Sequence, residues 1–393
     1  MKDSFKEVRA FEGNPKWEQI IKRETPLYRR DNDIRSEFDR DYTRVIHSTA
    51  YRRLKHKTQV FFSPESDHIC TRVEHVSHVE SISYTIANHF GLNTELTKAI
   101  ANAHDIGHSP FGHQGEKILS KLSMDNIGEN FWHEKNGLCL VDDIELLDDP
   151  EGNKKNLDLT YAVRDGIISH CGEIDENNLW PREDAINLRD ISEPAKYQPY
   201  TWEGCVVKLS DKIAYLGRDI ADAISIGILD ERLNELYKIL EFDSIDKLNN
   251  TILINDAVKD LCENSNLERG LCFSDKMYEV INKIKEFNYN YIYNTDKLDR
   301  ANRYFELVIT NIFEVLKSYF KEKRKTKRLY GDVIVDFEKW LSDYWTDERK
   351  EKNTNKALFD INNERDQIKA IIYYISGMTD NYAIDMYNRI IRF

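Results

Sequence analysis

The sequence predicts an all-α protein, on the strength of two observations. Helix-breaking residues are scarce: the 393 residues contain 16 glycines and eight prolines, and all of the prolines lie between Pro15 and Pro199. Apolar residues also recur every three or four positions in several long segments, which is the period of a helix packed on one face. Because glycine and proline disfavour helix interiors, their scarcity and this period together indicate that helices make up most of the chain.

The clearest helix precedes Gly91, a residue type that commonly ends helices. Its apolar stripe consists of Val73, Val76, Val79, Ile82, Ile86 and Phe90. A second helix is expected from Thr94, as its N-cap, to near Gly107. The short segment Gln59–Ser63 suits either a strand or a loop. Further helices are expected over residues 131–147, 158–170, 203–228, 276–292, 298–321 and 366–392, and loops or linkers over 150–157 and 172–200.

The charge balance narrows the function classes. The chain has 56 lysines and arginines against 69 aspartates and glutamates, a net charge of −13. This balance argues against binding along a nucleic-acid backbone, which favours a basic surface. The segment from Lys321 to Arg328 is locally basic and is either a solvated helix end or a phosphate or nucleic-acid contact. No apolar run is long enough to span a bilayer, and no signal-peptide segment is evident, so we expect a cytoplasmic protein with no membrane partner.

The six cysteines are scattered along the chain, and none forms a Cys-x-x-Cys pair. In a large protein of this expected location, such cysteines are most often small buried apolar side chains. A zinc ribbon or a disulfide framework is therefore not supported. Cys171 lies beside His170, and we expect it to be a structural thiol because the sequence shows no activating base for it.

The chemistry is expected in the first half of the chain, because all eleven histidines fall between His47 and His170. Three of them, an aspartate and a glutamate lie within the thirteen residues from His104 to Glu116. His104 and Asp105 would point about 100° apart within a helix, but at a helix end they can share one metal ion. An imidazole and a carboxylate suit Mn, Fe, Co, Ni or Zn, and a site rich in carboxylate and water also admits Mg.

Two ligands are too few, and the sequence offers two more. His75 lies beside the apolar stripe of the first helix, where a side chain faces a pocket between helices, and His78 competes for this role. Asp211 lies in an otherwise apolar helical segment, where a buried carboxylate needs a partner such as a metal. The alternative for Asp211 is a salt bridge to Lys212 or Arg218.

The set His75, His104-Asp105 and Asp211 resembles the H…HD…D pattern of HD-domain phosphohydrolases. More narrowly, the chain is similar to the deoxyguanosine triphosphate triphosphohydrolase (dGTPase) family. His-Asp alone is a weak signal, but its continuation as GHxPFGHxGE is specific; Ser109 stands where the family more often has proline. The blocks that carry the resemblance are Tyr51–Val60, Thr71–His75, His104–Glu116, and Asp211–Tyr215 with Arg218 and Asp219, supported by Leu157–Thr160 and Gly377–Asp380.

The resemblance implies an HD-domain helical core with an additional helical C-terminal region packed on it. The implied division is an N-terminal arm at residues 1–40, the core with its metal site at 41–228, and a C-terminal region at 229–393 that supplies substrate and oligomer contacts. Relatives assemble as homo-oligomers, often hexamers or tetramers. The implied cofactor is a divalent metal, Mn or Mg, with Fe, Co or Ni also open.

Roles follow from the resemblance residue by residue. The implied metal ligands are His75, His104, Asp105 and Asp211. The implied catalytic residues are His113 as general acid, Glu116, which orients it across one helical turn, His108 near the phosphates, and His133. The implied substrate contacts are Gln59 at the deoxyribose 3′-hydroxyl, Arg72, Lys212 and Tyr215 at the triphosphate, Asp219 on the sugar side, and Arg53 in a basic lining with Arg52, Lys55, Lys57 and Arg72.

The implied reaction is metal-dependent hydrolysis of dGTP or another deoxynucleoside triphosphate (dNTP) to deoxynucleoside and inorganic triphosphate. A metal-activated water would attack the α-phosphorus while His113 protonates the departing 5′-oxygen. The alternatives are another HD-type nucleotide phosphohydrolase, and a regulator that binds nucleotide or single-stranded DNA with little turnover. The sequence does not reveal the base preference, the native metal, or whether a second, allosteric nucleotide or single-stranded nucleic acid binds.

Overall fold

The computed structural model describes residues 5–28, 32–62, 69–171, 177–230, 232–240, 250–345, 355 and 357–392. Within these residues the chain is predominantly helical, as the sequence predicts, and the strands form two short antiparallel pairs. None of the described helices is both long enough and apolar enough to cross a membrane.

The elements follow the chain in a simple order. The α-helices are α1 (Trp17–Ile20), α2 (Glu37–His47), α3 (Thr49–Arg53), α4 (Arg72–Phe90), α5 (Thr94–Ala103), α6 (Gly112–Ile127), α7 (His133–Cys139), α8 (Tyr161–Ser169), α9 (Trp202–Ser225), α10 (Leu233–Leu240), α11 (Asn250–Asn264), α12 (Asp275–Asn288), α13 (Asp296–Lys321), α14 (Lys323–Leu329), α15 (Gly331–Leu341), α16 (Glu364–Ser376) and α17 (Asp380–Ile391). Shorter 3-10 turns lie at Phe5–Glu7, Leu54–His56 and Leu188–Asp190, and π-helical turns at Leu140–Ile144 and Tyr289–Tyr293. Strands β1 (Leu147–Asp148) and β2 (Lys154–Lys155) pair with Leu147 opposite Lys155, and β3 (Asn178–Leu179) and β4 (Leu271–Cys272) pair with Asn178 opposite Cys272.

Helix α4 forms the centre of the first half of the structure. It begins at Thr71, whose backbone N–H donates to Glu74 Oε2 at 2.8 Å, and it ends at Gly91, which adopts a left-handed conformation with φ 73°. Its predicted apolar stripe from Val76 to Phe90 is buried against α5 and α9. Helices α2 and α8 pack on the other faces of α5. The predicted ligands His75 and His104 therefore lie on, or at the end of, helices that share one core.

Two details of α5 differ from the sequence prediction. Its N-cap is Asn93 rather than Thr94, because Asn93 Oδ1 accepts from the N–H groups of Glu95 and Leu96. The helix also ends at Ala103, not near Gly107. The chain leaves the helix early because Gly107 packs against α7, where Asn136 Nδ2 donates to the Gly107 carbonyl at 2.6 Å.

The C-terminal region packs on this core through α13, which contacts α6, α16 and α17. The single helix predicted over 366–392 is wrong: α16 stops at Ser376 and α17 begins at Asp380, with Thr379 Oγ1 accepting from Tyr382 N–H as the N-cap. The break exposes the Ser376 carbonyl to Lys57 Nζ at 3.1 Å. The helix is therefore interrupted at a tertiary contact, although the apolar residues of the sequence continue at helical spacing across the break.

Other segments differ from their predictions in smaller ways. The predicted helix at 131–147 begins at His133 and ends in a π-helical turn. The predicted helix at 158–170 corresponds to α8. The predicted helix at 276–292 corresponds to α12 followed by a π-helical turn. The predicted loops contain β2 in 150–157, and β3 and a 3-10 turn in 172–200. Ser63 and residues 172–176 lie outside the described residues, and residues 59–62 form a loop.

The cysteines and the basic run match their structural interpretations. All six cysteines are free thiols, and each is buried or half-buried. In the basic run, Lys323 and Lys327 lie 3.9 Å and 2.7 Å from Glu338, and Lys325 lies 2.7 Å from Glu322. Because these lysines are exposed and paired with carboxylates, the run is a solvated, charge-paired helix end.

Candidate active site

Side chains from three helices converge in one buried group. His75 comes from α4, His104 from the end of α5 and Asp211 from α9, and one donor atom of each lies within 4.8 Å of the others. His75 Nε2 is 2.9 Å from Asp211 Oδ1, and His104 Nε2 is 3.8 Å from the same oxygen. His78 lies outside this group, half-buried on α4. The alternative partner Arg218 instead lies 3.2 Å from Asp222.

A hydrogen bond of His104 determines which of its ring nitrogens carries the hydrogen. His104 Nδ1 lies 2.6 Å from the carbonyl of Ala101, so this nitrogen carries the hydrogen and Nε2 presents a lone pair. His104 Nε2 is buried and has no hydrogen-bond partner among the described residues. A neutral imidazole whose other nitrogen bonds a backbone carbonyl is the usual form of a metal-ligating histidine.

Asp211 supplies the negative charge of this group. Burial alone would raise the pKa of its carboxyl group, but the hydrogen bond with His75 lowers that pKa to about 2. The carboxylate therefore stays ionised at neutral pH. Two imidazoles and an ionised carboxylate fit a divalent transition metal, and ligands at roughly 2 Å from such an ion need only small side-chain adjustments here.

Asp105, the fourth predicted ligand, lies in an adjoining group. One oxygen accepts from Arg72 Nη1 at 2.7 Å, and the other is 2.9 Å from His108 Nδ1. Burial works against ionisation, but the hydrogen bond with His108 and the positive charge of Arg72 hold the pKa of this carboxyl group well below its usual range. Its donor atom is also within 4.8 Å of those of His104 and His170. His104 thus belongs to both groups and joins them.

A second constellation surrounds Glu116 on α6. Glu116 Oε2 is 2.8 Å from His133 Nδ1 and 3.8 Å from His113 Nδ1. Burial would lower the pKa of His133, but the carboxylates of Glu134 and Glu116 raise it to about 9. The side chain of His113 is 66% exposed, whereas His133 is buried. Glu116 therefore contacts His133 more closely than the predicted partner His113, and it lies between an internal cation and a solvent-facing imidazole.

His108 connects the two constellations. Its ring centroid is 3.8 Å from that of His133 and 5.3 Å from that of His113. Burial and the nearby positive charge of Arg72 push the pKa of His108 well below its ordinary value. His108 is therefore neutral beside the cationic His133.

The turn that carries these histidines is held by the C-terminal region. Phe111 and Gly112 both have positive φ, 62° and 57°, which is unusual for a bulky residue such as Phe111. Asp380 at the start of α17 accepts from Phe111 N–H at 2.8 Å with one oxygen, and from Thr58 N–H and Oγ1 with the other. Lys57 Nζ donates to the carbonyl of His108. The C-terminal region thus fixes the turn in place.

Helix α9 continues from Asp211 along one face. Tyr215 and Asp219 follow at intervals of four residues, so they lie above one another on that face; Lys212 is adjacent to Asp211 and half-buried. The hydroxyl of Tyr293, in the π-helical turn after α12, donates to Asp219 Oδ2. Burial raises the pKa of the Asp219 carboxyl group to about 7.

The remaining predicted substrate residues divide into two sets. Gln59 lies near Arg72, whose Nη2 donates to the Gln59 carbonyl at 3.2 Å, and the buried Gln59 Oε1 has no hydrogen-bond partner within the described chain. Arg53 instead donates to Glu145 Oε1 at 2.8 Å and lines a pocket of about 490 Å³ between α3 and the C-terminal helices. The structure therefore brings Gln59 and Arg72 to the site, and it directs Arg53 to a different pocket. Arg52 and Lys55, which the sequence analysis grouped with Arg53 in a basic lining, are exposed on the surface.

Cys171 lies closer to an imidazole than the sequence suggested. Its Sγ is 3.3 Å from His133 Nε2. Burial nevertheless raises the pKa of the thiol well above its ordinary value. Cys171 is therefore a protonated, structural thiol, which agrees with the sequence prediction.

Comparison with known proteins places this site in a family. The HD domain model matches residues 72–216, and the phosphohydrolase-associated domain model matches residues 271–389. The chain is 33% identical to a deoxyguanosinetriphosphate triphosphohydrolase-like protein of Caldanaerobacter subterraneus, over 91% of this chain and 86% of the relative. It is 31% identical to a protein of the same name from Clostridium tetani, with the same coverage. A third, from Desulfatibacillum aliphaticivorans, is 37% identical over 66% of this chain and 67% of the relative.

The chain belongs to the dGTPase-like family of HD-domain phosphohydrolases. The match to the HD domain spans the elements that carry His75, His104, Asp105 and Asp211. The match to the associated domain spans Tyr293 and Asp380, the C-terminal residues that reach the site.

Sequence reasoning missed several residues of this site. His170 is absent from the predicted site, although the confinement of all histidines to the first half of the chain was a usable signal. Glu134 is adjacent to the predicted His133, and its Oε2 lies 3.3 Å from His133 Nδ1. Asp380 lies in the block Gly377–Asp380, whose resemblance to the family gave it no role in the site, and Tyr293 carried no local signal. Each reaches the site only through packing of the C-terminal region.

Proposed function

We propose that this chain hydrolyses dGTP or other dNTPs to deoxynucleoside and inorganic triphosphate in a metal-dependent reaction. The observation that carries the proposal is the meeting of two constellations, the His75–His104–Asp211 group and the Glu116–His133 pair with its solvent-facing neighbour His113. The names of the relatives support a nucleotide substrate. The proposed layout remains an arm at 1–40, a core at 41–228 and a C-terminal region at 229–393.

The residues that would hold the ion are His75, His104, Asp105 and Asp211. The fit rests on the buried, unpartnered Nε2 of His104 and on the ionised carboxylate of Asp211. A divalent ion bound there supplies a Lewis acid for phosphoryl oxygens and lowers the pKa of water enough to provide a nucleophile at neutral pH. The donor set suits Mn, Fe, Co or Ni, and the carboxylates also admit Mg.

Protons would move through the second constellation. His113 is exposed enough to reach a leaving 5′-oxygen, and Glu116 Oε2 lies 3.8 Å from its Nδ1, where it would orient the ring for proton donation. His133 stays protonated at neutral pH, since its pKa is about 9, and it shares Glu116 with His113. His133 therefore supplies a fixed positive charge close to the transferring phosphoryl group.

The substrate would lie between this constellation and α9. Arg72 is held in position by Asp105 and offers a buried guanidinium to phosphate oxygens, which a net-negative chain needs locally. Lys212 and Tyr215 would contact the triphosphate from α9. Gln59, with its unpartnered Oε1, and Asp219 would face the sugar.

The test is a chromatographic assay of each dNTP with Mn and with Mg, in which nucleoside and phosphate products are quantified together. The proposal predicts deoxynucleoside and intact triphosphate in equal amounts. His113→Gln should abolish most of the turnover, whereas His47→Gln, at an exposed histidine of α2, should retain it. Release of orthophosphate or pyrophosphate would instead indicate another HD-type phosphohydrolase. Binding of dNTP or single-stranded DNA with hydrolysis unaffected by His113→Gln would indicate a regulator.

We also propose a cytoplasmic homo-oligomer, a hexamer or tetramer, on the family resemblance. Size-exclusion chromatography with light scattering tests this state directly. A monomer at micromolar concentration would contradict it.

A further inference from the structure

His170 is a buried histidine that the proposed reaction does not use. It follows the last residue of α8, and only 2% of its surface is exposed. Its Nδ1 is 2.7 Å from the carbonyl of Ile167, so Nδ1 carries the hydrogen. Its Nε2 is buried and has no hydrogen-bond partner among the described residues. A buried lone pair without a partner is rare in proteins and calls for an explanation.

His170 repeats the local geometry of His104. Both histidines cap the C-terminal end of a helix, and both bond the carbonyl three residues earlier through Nδ1. In both, Nε2 is left buried and unpartnered. The two rings are 4.9 Å apart and nearly perpendicular. The hydrogen-bonding arrangement that leaves Nε2 of His104 available to a metal is therefore also present in His170.

His170 lies beside two of the proposed metal ligands. One donor atom each of His104, Asp105 and His170 lies within 4.8 Å of the others. Because Nδ1 of both histidines is committed to a backbone carbonyl, the nitrogens that remain for a ligand in this group are the two Nε2 atoms. The carbonyl of Cys171 accepts from Lys208 Nζ at 2.9 Å, which anchors the chain directly after His170.

We propose that His170 Nε2 is a fifth protein donor for the divalent ion held by His75, His104, Asp105 and Asp211. This inference rests on the metal site of the proposed function. Three imidazoles and two carboxylates form a donor set richer in nitrogen than two of each. Nitrogen donors favour Mn, Fe, Co and Ni over Mg, so His170 sets the preference of the site for these ions.

Two substitutions test the contributions of the two ring nitrogens separately. In His170→Asn, the side-chain amide reproduces Nδ1 and keeps the bond to Ile167 but removes the donor at Nε2. In His170→Gln, a longer side chain places a polar atom near the position of Nε2. The matched control is His47→Gln, which removes an exposed histidine of α2 that is not among the proposed ligands.

The experiment is a chelator-competition titration of the full-length protein with Co²⁺ and with Mg²⁺, together with the visible absorption spectrum of the Co²⁺ form. We expect His170→Asn to weaken Co²⁺ binding by at least about tenfold, the size typical of perturbed metal environments, and to shift the Co²⁺ spectrum. Mg²⁺ binding should change far less. His170→Gln should retain more Co²⁺ affinity than His170→Asn, and His47→Gln should match the wild type.

The melting temperature of the metal-free variants separates binding from folding. The inference predicts that metal-free His170→Asn melts close to the wild type while its stabilisation by Co²⁺ is reduced. If the wild type binds Co²⁺ and His170→Asn binds it equally, with the same spectrum, His170 is not a ligand. If the wild type binds neither ion, the metal site itself is wrong, and the proposed function fails with it.

Discussion

Burial makes ionisation of the Asp219 carboxyl group costly in free energy, and a single substitution that cannot ionise should remove this cost. Its carboxyl group is buried, accepts one hydrogen bond from the hydroxyl of Tyr293, and has its pKa raised to about 7 by burial. In the unfolded chain the same group titrates near its ordinary value of 3.8. Asp219→Asn keeps an acceptor for Tyr293 but cannot ionise, so it isolates the energetic cost of the charge.

The magnitude follows from the pKa difference. Between about pH 4 and pH 7 the folded state binds more protons at Asp219 than the unfolded state, so the free energy of unfolding falls as the pH rises. A difference of about three pKa units corresponds to a loss on the order of 4 kcal/mol, complete above the folded pKa. The wild type should therefore lose this stability relative to Asp219→Asn as the pH increases from about 4 to 8.

Urea unfolding of the metal-free protein across this pH range measures the effect. We expect the difference in unfolding free energy between Asp219→Asn and the wild type to shift in favour of the variant by about 3 kcal/mol between pH 4.5 and pH 8. Asp125→Asn, at an exposed aspartate of α6, should show no such shift. A pH-independent difference for Asp219→Asn would mean that Asp219 is ionised throughout, and the reasoning from its burial would be refuted.

Three further predictions concern the active-site turn. Asp380→Asn replaces an acceptor by a donor facing Phe111 or Thr58, which should cost about 1–3 kcal/mol of unfolding free energy and lower kcat, as measured by urea titration and turnover. Gly107→Ala places a methyl group 2.0 Å from the carbonyl oxygen of His133, so it should destabilise the protein by about 1–3 kcal/mol or more, whereas Gly331→Ala, with open space around it, should not. His113→Gln should lower kcat by about 10²–10⁴-fold with bound metal unchanged, while His104→Ala should lose the metal; metal loss in His113→Gln would contradict this division of roles.

Local pattern in the sequence predicted the helices and most of the site. The apolar period of α4 fixed which face of that helix is buried, and the adjacent His104 and Asp105 indicated a metal-binding turn. His75 followed from its position beside the apolar stripe, and Asp211 from a carboxylate within an apolar segment. These residues could be proposed from the sequence because each depends on spacing along one helix.

Other features depend on contacts between distant parts of the chain. The break between α16 and α17 interrupts a continuous apolar period, because Ser376 and Asp380 bond to Lys57, Thr58 and Phe111. The carboxylate of Glu116 approaches His133 more closely than His113, which a one-turn spacing alone does not reveal. The tautomer of His170 is set by a backbone carbonyl and is likewise invisible in the sequence.

Hydrolysis of dGTP in ¹⁸O-labelled water, with both products analysed by mass spectrometry, tests the central claim most directly. Attack of water at the α-phosphorus places one ¹⁸O atom in inorganic triphosphate and none in deoxyguanosine. We predict these two products with that labelling. Formation of deoxyguanosine monophosphate and pyrophosphate, or the appearance of ¹⁸O in deoxyguanosine, would contradict the account.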